Sequence, residues 1–231
     1  MLSSRARKLL ARGKREPIVV SGEKARALFR KFDIVPRERL VEFECRWGGW
    51  KYPVWGGRYA GRIGFFEEHE AGIYDGTIFE DRGMFLFQCA EQDYEQFFTL
   101  MDEDGRIFEW RGEGTQPQQT SDSIVSYIES QAMFETLFGF PQWLCMRIET
   151  EMPPQELAGE LGLNPVVEAT DSFKSWFAGS SITMQVQGNQ RSGNDFCASV
   201  WLHAHSRSSA TEVRQLSPVL GYRIKSERRY L

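Results

Sequence analysis

At Gly48-Gly49 the chain changes period, and that change limits its folds more than any other feature. Before the pair, apolar residues recur every three or four positions. Ser21 precedes GEKARALFRKF, where Ala25, Leu28, Phe29 and Phe32 fall on one helical face behind a serine N-cap. Pro36 then suits the first turn of a second helix, whose Leu40, Val41, Phe43 and Trp47 supply another buried stripe. The glycine pair predicts the stop of that helix, because glycine readily takes the left-handed conformation found at helix ends. After it, from Trp50 to Trp110, apolar residues come in short aromatic runs such as RIGFF, GMFLFQC and RIFEW, separated by Gly and Asp-Gly turns. Such runs read as an antiparallel sheet, and FFTLMDEDGRIFEW reads as a hairpin turning at Asp102–Gly105.

Further along, RGEGTQPQQTSDS reads as a polar loop. SDSIVSYIESQAMFETLFG reads as a helix, with Ile124, Tyr127, Ile128, Met133, Phe134 and Leu137 at helical spacing and Gly139 and Pro141 ending it. The remainder predicts a strand at WLCMRIET, a short helix at PPQELAGELGL and a strand pair around a turn at 188–194. A second helix, interrupted by Pro218, and a last strand at YRIKSERRYL complete it. That β-α-β-β-α-β order is the order of a ferredoxin-like plait; ATDSFKSWF has no place in it. The expected class is therefore α+β: helices packed on an antiparallel sheet, followed by a smaller C-terminal α+β domain. The boundaries fall at a basic N-terminal arm over 1–20, a first domain over 21–140 and a second over 141–231.

With 41% hydrophobic residues the chain can build a real core. No apolar run approaches the ~20 residues of a membrane helix, and the N-terminus has no apolar stretch of a secretory signal. Its opening, MLSSRARKLLARGKRE, is acid-poor and reads either as a transit peptide or as a basic arm or first helix. Cys45, Cys89, Cys145 and Cys197 are far apart, without metal or redox spacing, so they are expected to be reduced and mostly buried, in a cytoplasmic protein.

The net charge of −4 hides an asymmetry. Residues 1–66 carry 16 basic and 6 acidic side chains, whereas residues 67–160 carry 4 and 21. A segment at −17 repels nucleic acid and attracts a basic partner. The same carboxylates could instead solvate exposed faces or pair with the basic N-terminal segment. Aromatic and basic residues do interleave over Arg46–Arg62, but they adjoin that acidic segment, so nucleic acid is not an expected partner.

Catalytic motifs are sparse. The sequence has no Walker or dinucleotide phosphate loop and no G-x-S-x-G elbow, so no cofactor is expected. His203 and His205 form an H-x-H on one strand face, which reads as two surface histidines or, with His69 or a distant carboxylate, as a metal pair. Acid pairs such as Glu67-Glu68 lie in turn-like polar contexts that do not raise a carboxyl for acid–base work.

Three stretches in order carry a resemblance: IVPRERLVEFECRWGG (34–49), FTLMDEDGRIFEW (98–110) and SIVSYIESQAMFETL (123–137). They resemble the SUKH superfamily's proline-led helix ending in Gly-Gly, its D-x-D-G hairpin and its closing helix, over residues 20–140. The insert WKYPVWGGRYAGRIG departs from the family in being aromatic and basic. The resemblance implies binding without catalysis. Many such proteins are immunity proteins that block a cognate toxin, often one acting on nucleic acid or nucleotides; others are regulators or scaffolds. An acidic surface suits a basic toxin cleft in a 1:1 complex. Glu67, Glu68, Glu70, Asp75, Glu80, Asp81, Asp102, Glu103 and Asp104 are the candidate charged contacts. Trp50 and Trp55 are either interface anchors or core residues. A regulatory scaffold and a small metal- or His-dependent hydrolase are the alternatives.

Overall fold

A computed structural model describes residues 1–16, 21–31, 33–68, 74–75, 78–81, 83–93, 97–112, 114–140, 143–190 and 196–230. It is α+β, with two large antiparallel sheets and six helices among the described residues. The chain divides into two compact units, Ser4–Ile124 and Val125–Leu231, the latter joined by Met1–Ser3. The division falls at the first residue of the 124–137 helix, where the sequence reading puts it at 140. No described helix is long and apolar enough to cross a membrane.

The N-terminal unit begins with α1 (Ser4–Ala11), β1 (Lys14–Arg15), α2 (Gly22–Lys31) and α3 (Glu38–Trp47). Its strands are β2 (Trp50–Val54), β3 (Tyr59–Ile63), β4 (Glu67–Glu68), β5 (Tyr74–Asp75), β6 (Ile78–Asp81), β7 (Met84–Gln92), β8 (Phe98–Asp102), β9 (Ile107–Trp110) and β10 (Gln118–Ser121). The main sheet runs β1-β2-β3-β7-β8-β9-β10, with β6 also on β7, while β4 and β5 form a separate hairpin. β7 is long enough to pair with β3 through residues 90–92 and with β6 through residues 84–87.

One face of this sheet packs on the helices. Phe29 of α2 and Phe43 of α3 meet Phe65, and Phe29 also meets Phe66 and Phe87, with ring centroids 4.5–6.5 Å apart. Buried aromatic pairs of this kind add about 1 kcal/mol each beyond their burial. The opposite face buries Leu86, Leu100 and Phe108, with Phe79, Met84 and Trp110 packed around them.

The N-terminal segment takes the helical one of its expected readings: it opens with a helix rather than a loose arm. Ala6, Leu9 and Leu10 are buried along α1, and Lys14 and Arg15 pair with Lys51 and Trp50. Arg15 also donates to the carbonyls of Cys45 (2.6 Å) and Gly48 (3.0 Å), satisfying the C-terminal end of α3. The predicted polar loop is likewise in part a strand: β10 pairs with β9 through backbone bonds, which its polar residues do not advertise.

In the C-terminal unit the elements are α4 (Ile124–Leu137), β11 (Trp143–Glu149), α5 (Pro154–Glu160), β12 (Asn164–Pro165), β13 (Lys174–Ala178), β14 (Ile182–Gln190), β15 (Phe196–Ala204), α6 (Arg207–Leu220) and β16 (Arg223–Tyr230). The sheet order is β12-β13-β14-β15-β11-β16, with every neighbouring pair antiparallel. The previously unplaced stretch supplies β13, so two strands more than the expected order extend the β14 side. α5 and α6 cover one face, where Leu157 and Val213 pack into one cluster with Met146, Met184 and Leu202. α4 covers the other, where Met133 packs on Trp176 and Leu137 on Cys145. α4 exposes only Thr136 and buries Glu129, Ser130 and Glu135 with its apolar residues. Glu129 accepts from the amide (2.5 Å) and hydroxyl (2.7 Å) of Ser3, and Ser130 accepts from the Trp176 indole (3.1 Å). Pro218 does not interrupt α6; it sits in the last turn, and Gly221 closes the helix at φ 68°.

The glycine pair ends α3 for a reason beyond backbone freedom. Gly48 is extended (φ −58°, ψ 144°), and a Cβ there would strike the Glu44 carboxyl. Gly49 is left-handed at φ 81°, and its Cβ would run into the Glu16 carbonyl oxygen. Gly105 is also left-handed, at φ 83°, but has open space around it. Gly49→Ala is therefore expected to cost roughly 3 kcal/mol, because strain and a backbone collision add. Gly105→Ala should cost about 1 kcal/mol from strain alone. Urea denaturation of the two variants checks the difference; equal costs would contradict the close approach.

Candidate functional site

The β2–β3 hairpin and the end of α3 hold the most unusual groups of the N-terminal unit. Glu44 lies at i, i+4, i+7 spacing between Leu40 and Trp47, so the helix carries a carboxyl into its own buried stripe. It is fully buried. One oxygen accepts from the Phe65 amide at 2.8 Å, and Oε1 has no hydrogen-bond partner. Burial raises its pKa from the ordinary 4.5 to about 7, against the opposing pull of the Phe65 and Phe66 amides and of Arg62 and Arg15. Sequence reading passed over Glu44, although a Glu at a core position of an amphipathic helix is a visible signal.

At the far end of the hairpin, Trp55, Gly56 and Gly57 follow one another with φ of 54°, 66° and 90°. A left-handed aromatic residue costs about 1–2 kcal/mol, so the turn stores strain at a half-buried tryptophan. Trp50, also half-buried, stands at the other end of β2, opposite Ile63.

The candidate acidic contacts do not form one patch. Asp102 is 2% exposed, and its carboxylate accepts from the Asp104 amide (3.0 Å), the Arg106 amide (2.9 Å) and Arg106 Nε (2.6 Å). It shapes its own turn and is poorly placed to meet a partner. Glu103 pairs with Arg37 (3.2 Å) and Asp104 with Arg106 (3.3 Å), while Arg39 donates to the Asp104 carbonyl at 2.5 Å. Arg37 and Arg39, which precede and open α3, are the partners that sequence reading missed. This turn lies at the Leu86 end of β7 and the Trp55 turn beyond its Gln92 end, roughly 25 Å apart along the strand. Glu80 is exposed on β6, and Asp81 follows at the end of that strand. Glu67 and Asp75 are register partners in the β4–β5 hairpin, with Glu68 beside them opposite Tyr74. Glu70 and His69 lie outside the described residues.

His203 and His205 are both buried, which corrects the expectation of surface histidines. The face they share carries α4, and no periodicity in β15 announces that cover. His203 lies beside Trp176, with ring centroids 6.1 Å apart, and burial lowers its pKa to about 3. His205 stacks on Phe140 at 3.8 Å and meets the Thr183 hydroxyl at 2.9 Å; burial lowers its pKa as well. Both rings are neutral packing groups at ordinary pH. Among the described residues, no three His, Cys, Asp or Glu are placed to hold a metal. Cys89 and Cys145 are buried free thiols; burial raises both, Cys145 to about 12, which makes them unreactive.

No family model, curated protein or solved structure matches this chain.

Glu44 makes stability depend on pH in a defined direction. Its folded pKa lies above the unfolded one, so the folded chain holds a proton that the unfolded chain releases. Its contribution is fully present below about pH 4.5 and is lost as pH rises through 7, by on the order of 3 kcal/mol. The urea midpoint of the parent chain should fall between pH 5 and pH 8, and Glu44→Gln should flatten that fall. Parallel profiles for the two proteins would refute a buried, protonated Glu44.

Proposed function

We propose that the chain is a non-catalytic immunity-type protein that acts in the cytoplasm. It binds a basic toxin enzyme acting on nucleic acid or nucleotides and occludes its active site with an acidic surface. The observation that carries this reading is the β4–β5 hairpin, whose register sets Glu67 opposite Asp75. Like charges at facing positions cost stability on their own, and a basic partner relieves that cost. The surrounding sequence, with 21 acidic against 4 basic residues over 67–160, strengthens the attraction and speeds encounter.

The SUKH-like order of helix, hairpin and helix over residues 20–140 supports the same reading. Strain at Trp55 suits an anchoring side chain, because strained backbone is kept where it serves a contact. The acidic β8–β9 turn contributes less than its sequence implies, since Arg37 and Arg106 already neutralise it. The contact surface of this proposal is therefore centred on Glu67, Glu68 and Asp75, with Glu80 and Asp81 on the strand that follows. The buried, neutral imidazoles of His203 and His205 do not favour the hydrolase alternative.

Co-expression with the product of the gene immediately upstream tests the proposal. The expected outcome is rescue of a heterologous bacterium from toxicity and a co-purifying 1:1 complex. Charge reversal at Glu67, Glu68 and Asp75 should weaken that complex roughly tenfold or more. Toxicity without rescue or complex, or no toxicity at all, counts against it.

A further inference from the structure

β16 closes one side of the six-stranded sheet, with β11 as its neighbour on the inner side. The strand is eight residues long, and Lys225 to Arg229 are five consecutive exposed residues. Among the described residues no strand pairs with its outer side, and an edge of that length presents backbone N–H and C=O groups to any further strand. Charge along an edge is a common way of keeping other strands off, and Arg223, Lys225, Arg228 and Arg229 serve that end against a neutral or basic chain.

The helix beside this edge adds something that edge protection does not need. Arg207, Thr211 and Arg214 recur at i, i+4 and i+7, one stripe of α6. With Arg229, Ala210 and Leu144 they line a cavity of about 360 Å³. Leu144 and Ala210, both buried, give it an apolar part, and Arg207, Arg214 and Arg229 give it a basic one. Glu227 holds Arg214 in place through two bonds of 3.0 and 2.7 Å. Arg207 and Arg229 have no carboxylate within 4.0 Å among the described residues. From Arg207 to Arg229 the chain carries six basic residues against Glu212 and Glu227. A strand added outside β16 would lie about 4.8 Å beyond it, beside the α6 stripe, and its alternate side chains would reach the cavity.

We propose that the β16 edge and the Arg207–Arg214–Arg229 cavity dock an extended acidic segment of a partner protein. Its backbone continues the sheet, and carboxylates at alternate positions, which share one face of the strand, meet Arg207 and Arg229. Arginine suits this role because its planar fork takes a carboxylate in two bonds at once. A second copy of the chain suits it poorly, because β16 against β16 sets a basic edge on a basic edge. This site is opposite in charge to the acidic hairpin and belongs to the other unit, so it stands independently of the toxin reading.

The test is fluorescence anisotropy of the full chain with a labelled hexapeptide of alternating glutamate and valine, at low salt. Saturable binding is expected. It should weaken roughly tenfold or more with Arg207→Glu plus Arg229→Glu, and by a similar factor when alternate peptide amides are N-methylated. A peptide with lysine for glutamate should not bind. Binding that ignores N-methylation would overturn strand addition. Binding of pyrophosphate without the peptide would make the cavity a small-anion site instead. Dimerisation of the chain alone, abolished by the double variant, would assign the edge to a second copy. Absence of any binding would reject the docking site outright.

Discussion

The N-terminal unit is organised around the closest approach of a helix to the turn that follows it. Glu44 in α3 reaches the Phe65 amide, and Gly48 and Gly49 leave no room for a side chain between that carboxyl, the Glu16 carbonyl and the chain beyond. Gly64 packs on the same glycine pair. A carboxyl in so tight a place cannot be hydrated, so it holds its proton to about pH 7. The aromatic cluster of Phe29, Phe43, Phe65 and Phe87 grows outward from this contact, because the same loop that bonds Glu44 delivers Phe65 to the helices.

Charge in this protein is arranged more locally than its totals imply. The acidic β8–β9 turn is neutralised by Arg37, Arg39 and Arg106, and Asp102 is consumed in shaping that turn. Exposed pairs of this sort add little stability, but they remove carboxylates from the set open to a partner. Elsewhere the register of β4–β5 sets Glu67 opposite Asp75 in one unit, and in the other Arg207 and Arg229 have no carboxylate within 4.0 Å among the described residues.

The C-terminal unit shows how a single helix changes the meaning of a motif. An H-x-H on a strand facing water would be a plausible ligand pair. Under α4 the same two imidazoles are packing groups, one beside Trp176 and one stacked on Phe140. The neighbouring Cys145 thiol is made inert by the same cover.

Much of the fold was legible in the sequence. The helical stripes of α2 and α3, the aromatic strands, the D-x-D-G hairpin and most elements of the second sheet are local, and local spacing reports them because each is a face that must be buried. The α+β class follows from their order. The stop at Gly48-Gly49 was visible too, though its reason, the room taken by Glu44 and Glu16, was not. Only the tertiary structure decided the rest. β1 and β10 exist because neighbouring strands supply backbone partners, whatever their own side chains. α4 is buried nearly all round, so its Glu129 and Ser130 are interior groups bonded to Ser3 and Trp176. The cavity beside β16 draws Leu144, Arg207, Arg214 and Arg229 together from three elements. Burial, and with it the protonation of Glu44 and His203, depends on residues distant in sequence, and no local period carries that information.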